Sequence, residues 1–325
     1  MSTDVVVLRP EADFTRVNAP APANLKVTYR TPDDPELPTL LKQASILVIP
    51  AVGPKLAPSL FEGTSIKLVQ VTGAGVDRLD EPAMRKLGIP VCNVPGGSNS
   101  AVSEWAVTSA SLLLRRMAWS NHEIRGGRYD AFRKRMLADN LAGIEGQLVG
   151  VVGLGVIGMA VAQAFHRMGA RIAYFDPAPR DAKAAAAMNA KQMSLEGLLS
   201  NADVVTLHVP LLPVTKGLIG AEQLALMKPS AILVNAARGG IVDEAALKAA
   251  LEGGKLAGAA VDVYSTEPPA PDNPLLNVAG EAAHRLLLTP HIAGVTRQSA
   301  AFLFRASWDN VARVLKGDAP LNRVY

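Results

Sequence analysis

One short run limits the fold of this chain more than any other. It is Gly153-Leu154-Gly155-Val156-Ile157-Gly158, entered directly from the apolar stretch Leu148-Val149-Gly150-Val151-Val152. That stretch is short and β-branched and reads as a buried parallel strand, while the residues after Gly158 carry apolar side chains at helical spacing. Gly153 allows a tight turn, Gly155 lets the backbone approach a pyrophosphate, and Gly158 lets helix and strand pack closely. The helix start presents unpaired N–H groups and a partial positive charge to phosphates. A glycine pattern alone is weak, but the strand before it, the helix after it and an acid beyond make a dinucleotide site. That acid is Asp176, at the end of the next strand. It suits hydrogen bonds from the adenosine ribose hydroxyls and repels a 2′-phosphate, which favours NAD over NADP. The nearby Arg180 is the one feature favouring the phosphate.

The rest of the chain fits an alternation of strands and helices, hence parallel sheets. Strands are expected at residues 5–8, 46–49, 68–71 and 90–94, with helices at 37–43 and 81–87 between them. A long helix is expected over 100–116. Further strands follow at 148–152, 171–175, 204–207, 231–235, 258–263 and 286–288, with helices at 158–168 and 243–251. The alanine-rich stretch 182–190 reads as a surface helix, and 297–315 as a closing amphipathic helix.

At 325 residues the chain suggests two domains. Its 49% hydrophobic and 19% charged content is that of a globular protein. No apolar run approaches the ~18 residues of a membrane span, and the first residues do not read as a secretory leader. One cysteine, Cys92, excludes an internal disulfide and fits a reducing, cytoplasmic setting. Lysine and arginine number 33 against 29 acids, a net +4 that admits anionic substrates and gives no case for nucleic acid. The basic cluster Arg125, Arg128, Arg133, Lys134 and Arg135 reads as a solvated or subunit-facing surface rather than an anion site.

Three motifs downstream of the glycine loop each carry a residue capable of chemistry: Asn235-Ala236-Ala237-Arg238-Gly239-Gly240, Asp262-Val263-Tyr264-Ser265-Thr266-Glu267-Pro268 and Thr289-Pro290-His291-Ile292-Ala293-Gly294. Reducing a ketone with a nicotinamide needs a general acid for the developing alkoxide, and His291 is suited to it. Glu267 would stabilise the imidazolium and set the ring tautomer, and Arg238 would hold a substrate carboxylate and polarise the carbonyl. Singly, each residue has an ordinary alternative: a satisfied core histidine, a loop-anchoring arginine, a solvated glutamate. Together they follow three predicted strands, whose carboxyl ends face the ligand crevice of such folds. His208 also ends a strand and reads as a main-chain cofactor contact. His122 and His166 read as packing or surface residues and His284 as part of a polar loop. No Cys, His and carboxylate set has metal-ligand spacing, so no metal is expected.

These motifs, in this order, resemble the D-isomer-specific 2-hydroxyacid dehydrogenases, the family of phosphoglycerate, D-lactate and D-glycerate dehydrogenases and glyoxylate/hydroxypyruvate reductases. The resemblance implies an α/β fold in which a Rossmann-type, doubly wound cofactor domain (residues 101–293) is inserted into a flavodoxin-like substrate domain (residues 1–100 and 294–325). It implies Arg238, Glu267 and His291 as the catalytic set. It implies cofactor contacts at Gly153, Gly155, Val156, Ile157, Gly158, Asp176, His208, Val209, Pro210, Ala236, Ala237, Asp262 and Gly294. Residues 71–77 resemble the loop whose amides grip the substrate carboxylate, which points to Thr72, Gly73 and Ala74. A homodimer is implied too, with the long helix and residues 121–140 at its interface.

Phosphoglycerate dehydrogenases carry an arginine where this chain has Ile49-Pro50-Ala51-Val52, so a small unphosphorylated 2-keto acid such as glyoxylate, hydroxypyruvate or pyruvate is expected. The chain also ends at Tyr325, where some relatives continue into regulatory domains. Residues 279–285 are longer than the family's usual turn. The same fold also serves NAD-sensing corepressor-like binding proteins, which is the alternative reading.

Overall fold

The computed structural model describes residues 4–325, so the extreme amino terminus, read above as carrying no leader, lies outside the described residues. The chain divides into two compact units. One takes the described residues up to Ser98 together with Val295–Tyr325, and the other is Asn99–Gly294.

In the first unit, strands β1 (Val5–Val7), β2 (Val27–Tyr29), β3 (Ile46–Ile49), β4 (Leu68–Val71) and β5 (Val91–Cys92) form a parallel sheet in the order β2-β1-β3-β4-β5. This is the flavodoxin-like order. Successive side chains point to opposite faces, so each central strand feeds two cores. Val6, Leu47, Ile49, Val69 and Val71 pack with Leu37, Leu41 and Met84 on one face. Val5, Val7, Ile46 and Val48 pack on the other with Phe14 and with Phe304, Trp308 and Val311 of the terminal helix Arg297–Leu315. Each such side chain contributes about 1.5–3 kcal/mol when fully buried. Three elements had no expectation: the helix Glu11–Arg16, the half-buried strand β2 and the 3-10 turn Pro58–Phe61.

In the second unit, strands β6 (Leu148–Val152), β7 (Arg171–Phe175), β8 (Lys191–Gln192), β9 (Val204–Leu207), β10 (Ile232–Asn235), β11 (Gly258–Val261) and β12 (Leu286–Leu288) are ordered β12-β11-β10-β9-β6-β7-β8. All the pairings are parallel. The order reverses at β6, flanked by β7 and β9, so the crevice at the carboxyl ends of β6 and β9 is the topological switch point where ligands bind in doubly wound sheets. Val149, Val151, Val204 and Val234 face a core with Val161, Ala162 and Phe165 of the helix Val156–Arg167 and with Val102, Ala106 and Ala110 of the long helix. Val152, Val205, Leu207 and Leu233 face the other core, with Leu198, Leu199, Leu247 and Leu251.

The long helix runs Asn99–Leu114 and stops where Arg116 takes a left-handed φ of 48°, after which Met117–Arg125 and Tyr129–Ala138 are separate helices. The surface helix expected over 182–190 is only Ala182–Ala186. Ala185 and Met188 pack into the core while Lys183, Ala186 and Ala187 are exposed, and the helix gives way to a turn in which Asn189 takes a left-handed φ of 49°.

Candidate active site

The glycine loop has the shape a dinucleotide needs. Gly153 sits at φ 89°, where a Cβ would lie 2.7 Å from the His208 carbonyl oxygen, and a Cβ on Gly158 would lie 1.9 Å from the carbonyl oxygen of Gly153. Around Gly155 there is open space within 4 Å, which leaves its backbone approachable. Gly155 is also the N-cap of Val156–Arg167, so the amides of Val156, Ile157 and Gly158 have no carbonyl one turn back and point outward. The donors and the cleared space fit a bound pyrophosphate.

Asp176 follows β7 and is 4% exposed. Its carboxylate accepts from the Leu154 amide at 2.8 Å, from the Ala178 amide at 2.9 Å, and from Arg180 at 2.7 and 2.9 Å. Burial pushes its pKa up, but the Arg180 contact and the two amide bonds outweigh this and hold it below the ordinary carboxylate range. Arg180, the feature that argued for a 2′-phosphate, is therefore engaged with the acid that argues against one.

His208 follows β9, and its main chain is where the glycine loop meets it, with the His208 amide donating to Val152 at 2.8 Å. The ring's Nε2 lies 2.8 Å from Thr206 Oγ1, while Nδ1 is buried without a partner. Desolvation pushes the imidazole down to about 3. It is a neutral ring and not a proton donor at ordinary pH.

Arg238, Glu267 and His291 lie on the loops leaving the adjacent strands β10, β11 and β12. His291 Nδ1 donates to Glu267 Oε2 at 2.7 Å, and Glu267 Oε1 accepts from the Tyr264 amide at 3.0 Å. Arg238 Nη1 donates to its neighbour's carbonyl, Ala237, at 2.7 Å, and its charge is felt at Glu267. Burial alone would raise the Glu267 carboxyl. The His291 and Tyr264 hydrogen bonds and the charges of His291 and Arg238 outweigh it, and the group is held below its ordinary value.

What brings the loops together was not legible in advance. A Cβ on Gly239 would lie 1.8 Å from the Tyr264 carbonyl oxygen, so only glycine permits this approach of the Arg238 loop to the Glu267 loop. The Tyr264 hydroxyl donates to the Thr289 carbonyl at 3.0 Å and ties in the third loop. Desolvation pushes this phenol up to about 12, so it stays a donor. Glu244 accepts from the Ser265 amide at 2.7 Å and from Asn273 Nδ2 at 2.8 Å, bracing the same loop from the helix Glu244–Glu252.

Asp262 is 1% exposed, and its carboxylate accepts from the Thr289 hydroxyl and from the amides of Ile292 and Ala293 at 2.8 and 2.7 Å. The His291 amide donates to the Asp262 carbonyl at 2.8 Å. Between these bonds His291 is held at φ 56°, a left-handed conformation that a non-glycine residue adopts only when its surroundings impose it. Burial raises the Asp262 carboxyl more than its hydrogen bonds lower it.

In the first unit, the Thr72 amide donates to the Ile49 carbonyl at 2.8 Å and the Thr72 hydroxyl to the same oxygen at 3.3 Å. Thr72 thus secures the loop that follows β4. A Cβ on Gly73 would lie 2.7 Å from that of Ala51. The carbonyls of Gly73 and Ala74 accept from the Val94 amide at 2.9 Å and from Asn93 Nδ2 at 2.7 Å.

Of the remaining residues singled out from the sequence, Ala237 is buried, Val156 and Pro210 are exposed, and Ile157, Val209, Ala236 and Gly294 lie between. In the basic cluster, Arg128 pairs with Glu123 and Arg135 with Glu281, while Arg133 and Lys134 are exposed.

Comparison with known proteins places the chain in a family. The family model for the NAD binding domain of D-isomer specific 2-hydroxyacid dehydrogenases matches residues 107–293. A glycerate dehydrogenase of Methylorubrum extorquens is 34% identical over 98% of this chain and 98% of its own length. A D-3-phosphoglycerate dehydrogenase of Archaeoglobus fulgidus is 36% identical over 78% of this chain, which spans only 46% of that protein. The holo structure of Rhodotorula graminis D-mandelate dehydrogenase superposes with a TM-score of 0.83 at 27% identity, covering 100% of this chain and 98% of that one.

Proposed function

This chain belongs to the D-isomer specific 2-hydroxyacid dehydrogenase family, and we propose that it reduces a small unphosphorylated 2-keto acid, such as glyoxylate, hydroxypyruvate or pyruvate, with NADH. The observation that carries this reading is the 2.7 Å contact of His291 Nδ1 with Glu267 Oε2.

With Nδ1 committed to the carboxylate, Nε2 is the ring atom that gives a proton to the substrate oxygen. Glu267 holds the ring's orientation and fixes which nitrogen faces the substrate. Arg238 pairs with the substrate carboxylate through its planar fork and draws electron density from the adjacent carbonyl. Bound NADH supplies the hydride. In the reverse direction His291 takes the hydroxyl proton. The cofactor contacts in this reading are the amides of the glycine loop with Val156 and Ile157, the Asp176 carboxylate, and the main chain of residues 208–210, 236–237, 262 and 294.

Two features support an unphosphorylated substrate. Ile49-Pro50-Ala51-Val52 offers no cation. The nearby Arg78 is 3% exposed and donates through Nε and Nη1 to the carbonyls of Pro54 and Pro50, at 2.9 and 3.0 Å, with only Nη2 left without a partner. The match to a glycerate dehydrogenase along its whole length favours the same class.

A homodimer and a cytoplasmic setting belong to this proposal. Met117, Ile124, Tyr129 and Leu137 are 54%, 46%, 58% and 66% exposed on the helices proposed to meet a second copy, more apolar surface than isolated residues explain. No helix among the described residues is long and apolar enough to cross a membrane.

The test is NADH oxidation across a panel of 2-keto acids, repeated with NADPH. Turnover of one or two small acids with NADH preferred supports the reading. Inert acids alongside intact NADH binding would refute it.

A further inference from the structure

Away from these loops, the second unit brings the imidazole of His284 to the adjacent His122 and Glu123, far from it in sequence. His122 and Glu123 lie on the helix Met117–Arg125, and His284 lies in the 3-10 segment Gly280–Arg285 that leads into β12. In the fold, one ligand atom from each of His122, Glu123 and His284 lies within 4.8 Å of the others. The two imidazole rings are 4.6 Å apart between centroids.

The cluster is built rather than incidental. The His284 ring stacks on Trp119 at 5.5 Å and 12° between planes, and the Arg135 guanidinium lies 4.5 Å from the centroid of the same indole. Arg135 also donates twice to Glu281, at 2.6 and 2.8 Å, which fastens the 3-10 segment to the helix Tyr129–Ala138. Glu123 accepts from Trp119 Nε1 at 3.2 Å through one oxygen and from Arg128 through the other. An ionised carboxylate has about four acceptor positions, so each oxygen keeps one. Trp119 and Arg128 then act as the outer partners that orient a ligating carboxylate. An open cavity of about 460 Å³, lined by Trp119, Glu123, Arg128, Glu281 and His284 among others, reaches two of the three ligands.

We propose that His122, Glu123 and His284 bind a divalent transition-metal ion of the zinc class. Two imidazole nitrogens and one carboxylate oxygen suit zinc, nickel or copper, whereas magnesium and calcium favour all-oxygen sets. Bonds of about 2.0–2.2 Å require the ligand atoms to draw together, and the exposed His122 is the side chain that rotates to close the gap. Three protein ligands leave a position for water. The ion would join the helix Met117–Arg125 to residues 280–285, which gives that longer segment a role.

The test uses the full-length, tag-free chain, stripped with a chelator and titrated with zinc chloride by calorimetry. The expected result is one ion per chain. Since losing an outer partner alone costs about 10–100-fold in affinity, His122→Gln and His284→Gln should each weaken binding by at least about tenfold. His166→Gln should not. Anomalous diffraction at the zinc edge should place the ion between His122 and His284. Because His122 is exposed, its variant tests the site even if the His284 variant folds poorly. Absence of stoichiometric binding, or unchanged affinity in His122→Gln, overturns the proposal.

Discussion

Gly239 and Tyr264 are in backbone contact so close that a single methyl group on Gly239 would come within 1.8 Å of the Tyr264 carbonyl oxygen. That contact places the loop carrying Arg238 against the loop carrying Glu267. Gly239→Ala should therefore cost about 1–3 kcal/mol of stability and, by separating the loops, most of the turnover. Thermal unfolding and kcat check it; a variant with wild-type kcat would detach the contact from the active geometry.

Glu267→Gln keeps the size of the side chain and removes the charge facing His291. The expected loss in kcat is on the order of 10²-fold, with NADH binding intact. The stability effect has a direction. The folded carboxyl is held below its ordinary value of 4.5, so the stabilisation is complete above that pH and is lost as the pH falls through the folded value. The stability difference between wild type and variant should shrink over that acidic range. A pH-independent difference would contradict the pairing.

His208 acts in the opposite sense. The folded ring stays neutral down to about 3, while the unfolded ring takes up a proton near its ordinary 6.5. Acidification between those values therefore favours the unfolded chain, by up to about 1.4 kcal/mol per pH unit. Denaturant unfolding of His208→Gln between pH 6 and 4 should show a shallower pH slope than wild type, and equal slopes would remove His208 from that dependence.

Asp176→Ala should release Arg180 from its 2.7 Å ion pair and leave a cation beside the adenosine ribose site. Relative kcat/KM should move toward NADPH on the order of tenfold or more. An unchanged preference would show that Asp176 does not set it.

Much of this molecule was legible because strong local signals agree with the global fold. The strand into Gly153, the helix after it, Asp176 and the three motif residues are each marked by pattern or residue type, and the sheet order puts them where ligands bind. Contacts that depend on the fold alone were not legible. Lys191–Gln192 is a two-residue exposed edge strand with no apolar pattern, and Val27–Tyr29 is only half-buried. The roles of Tyr264, Glu244 and Asp262 come from hydrogen bonds between loops distant in sequence, as does the meeting of His284 with His122 and Glu123. The 182–190 stretch carries a mostly exposed helix, but its end at Ala186 was not legible because alanine favours a helix without showing where it stops.

In the proposed reaction His291, held by Glu267 and by the Asp262 turn, is the proton donor. Steady-state turnover of His291→Ala, measured beside NADH binding by fluorescence, addresses it most directly. A loss of about 10²–10⁴-fold in kcat with NADH affinity unchanged is the expected result. Turnover within a few-fold of wild type would contradict the assignment and place the proton on another group.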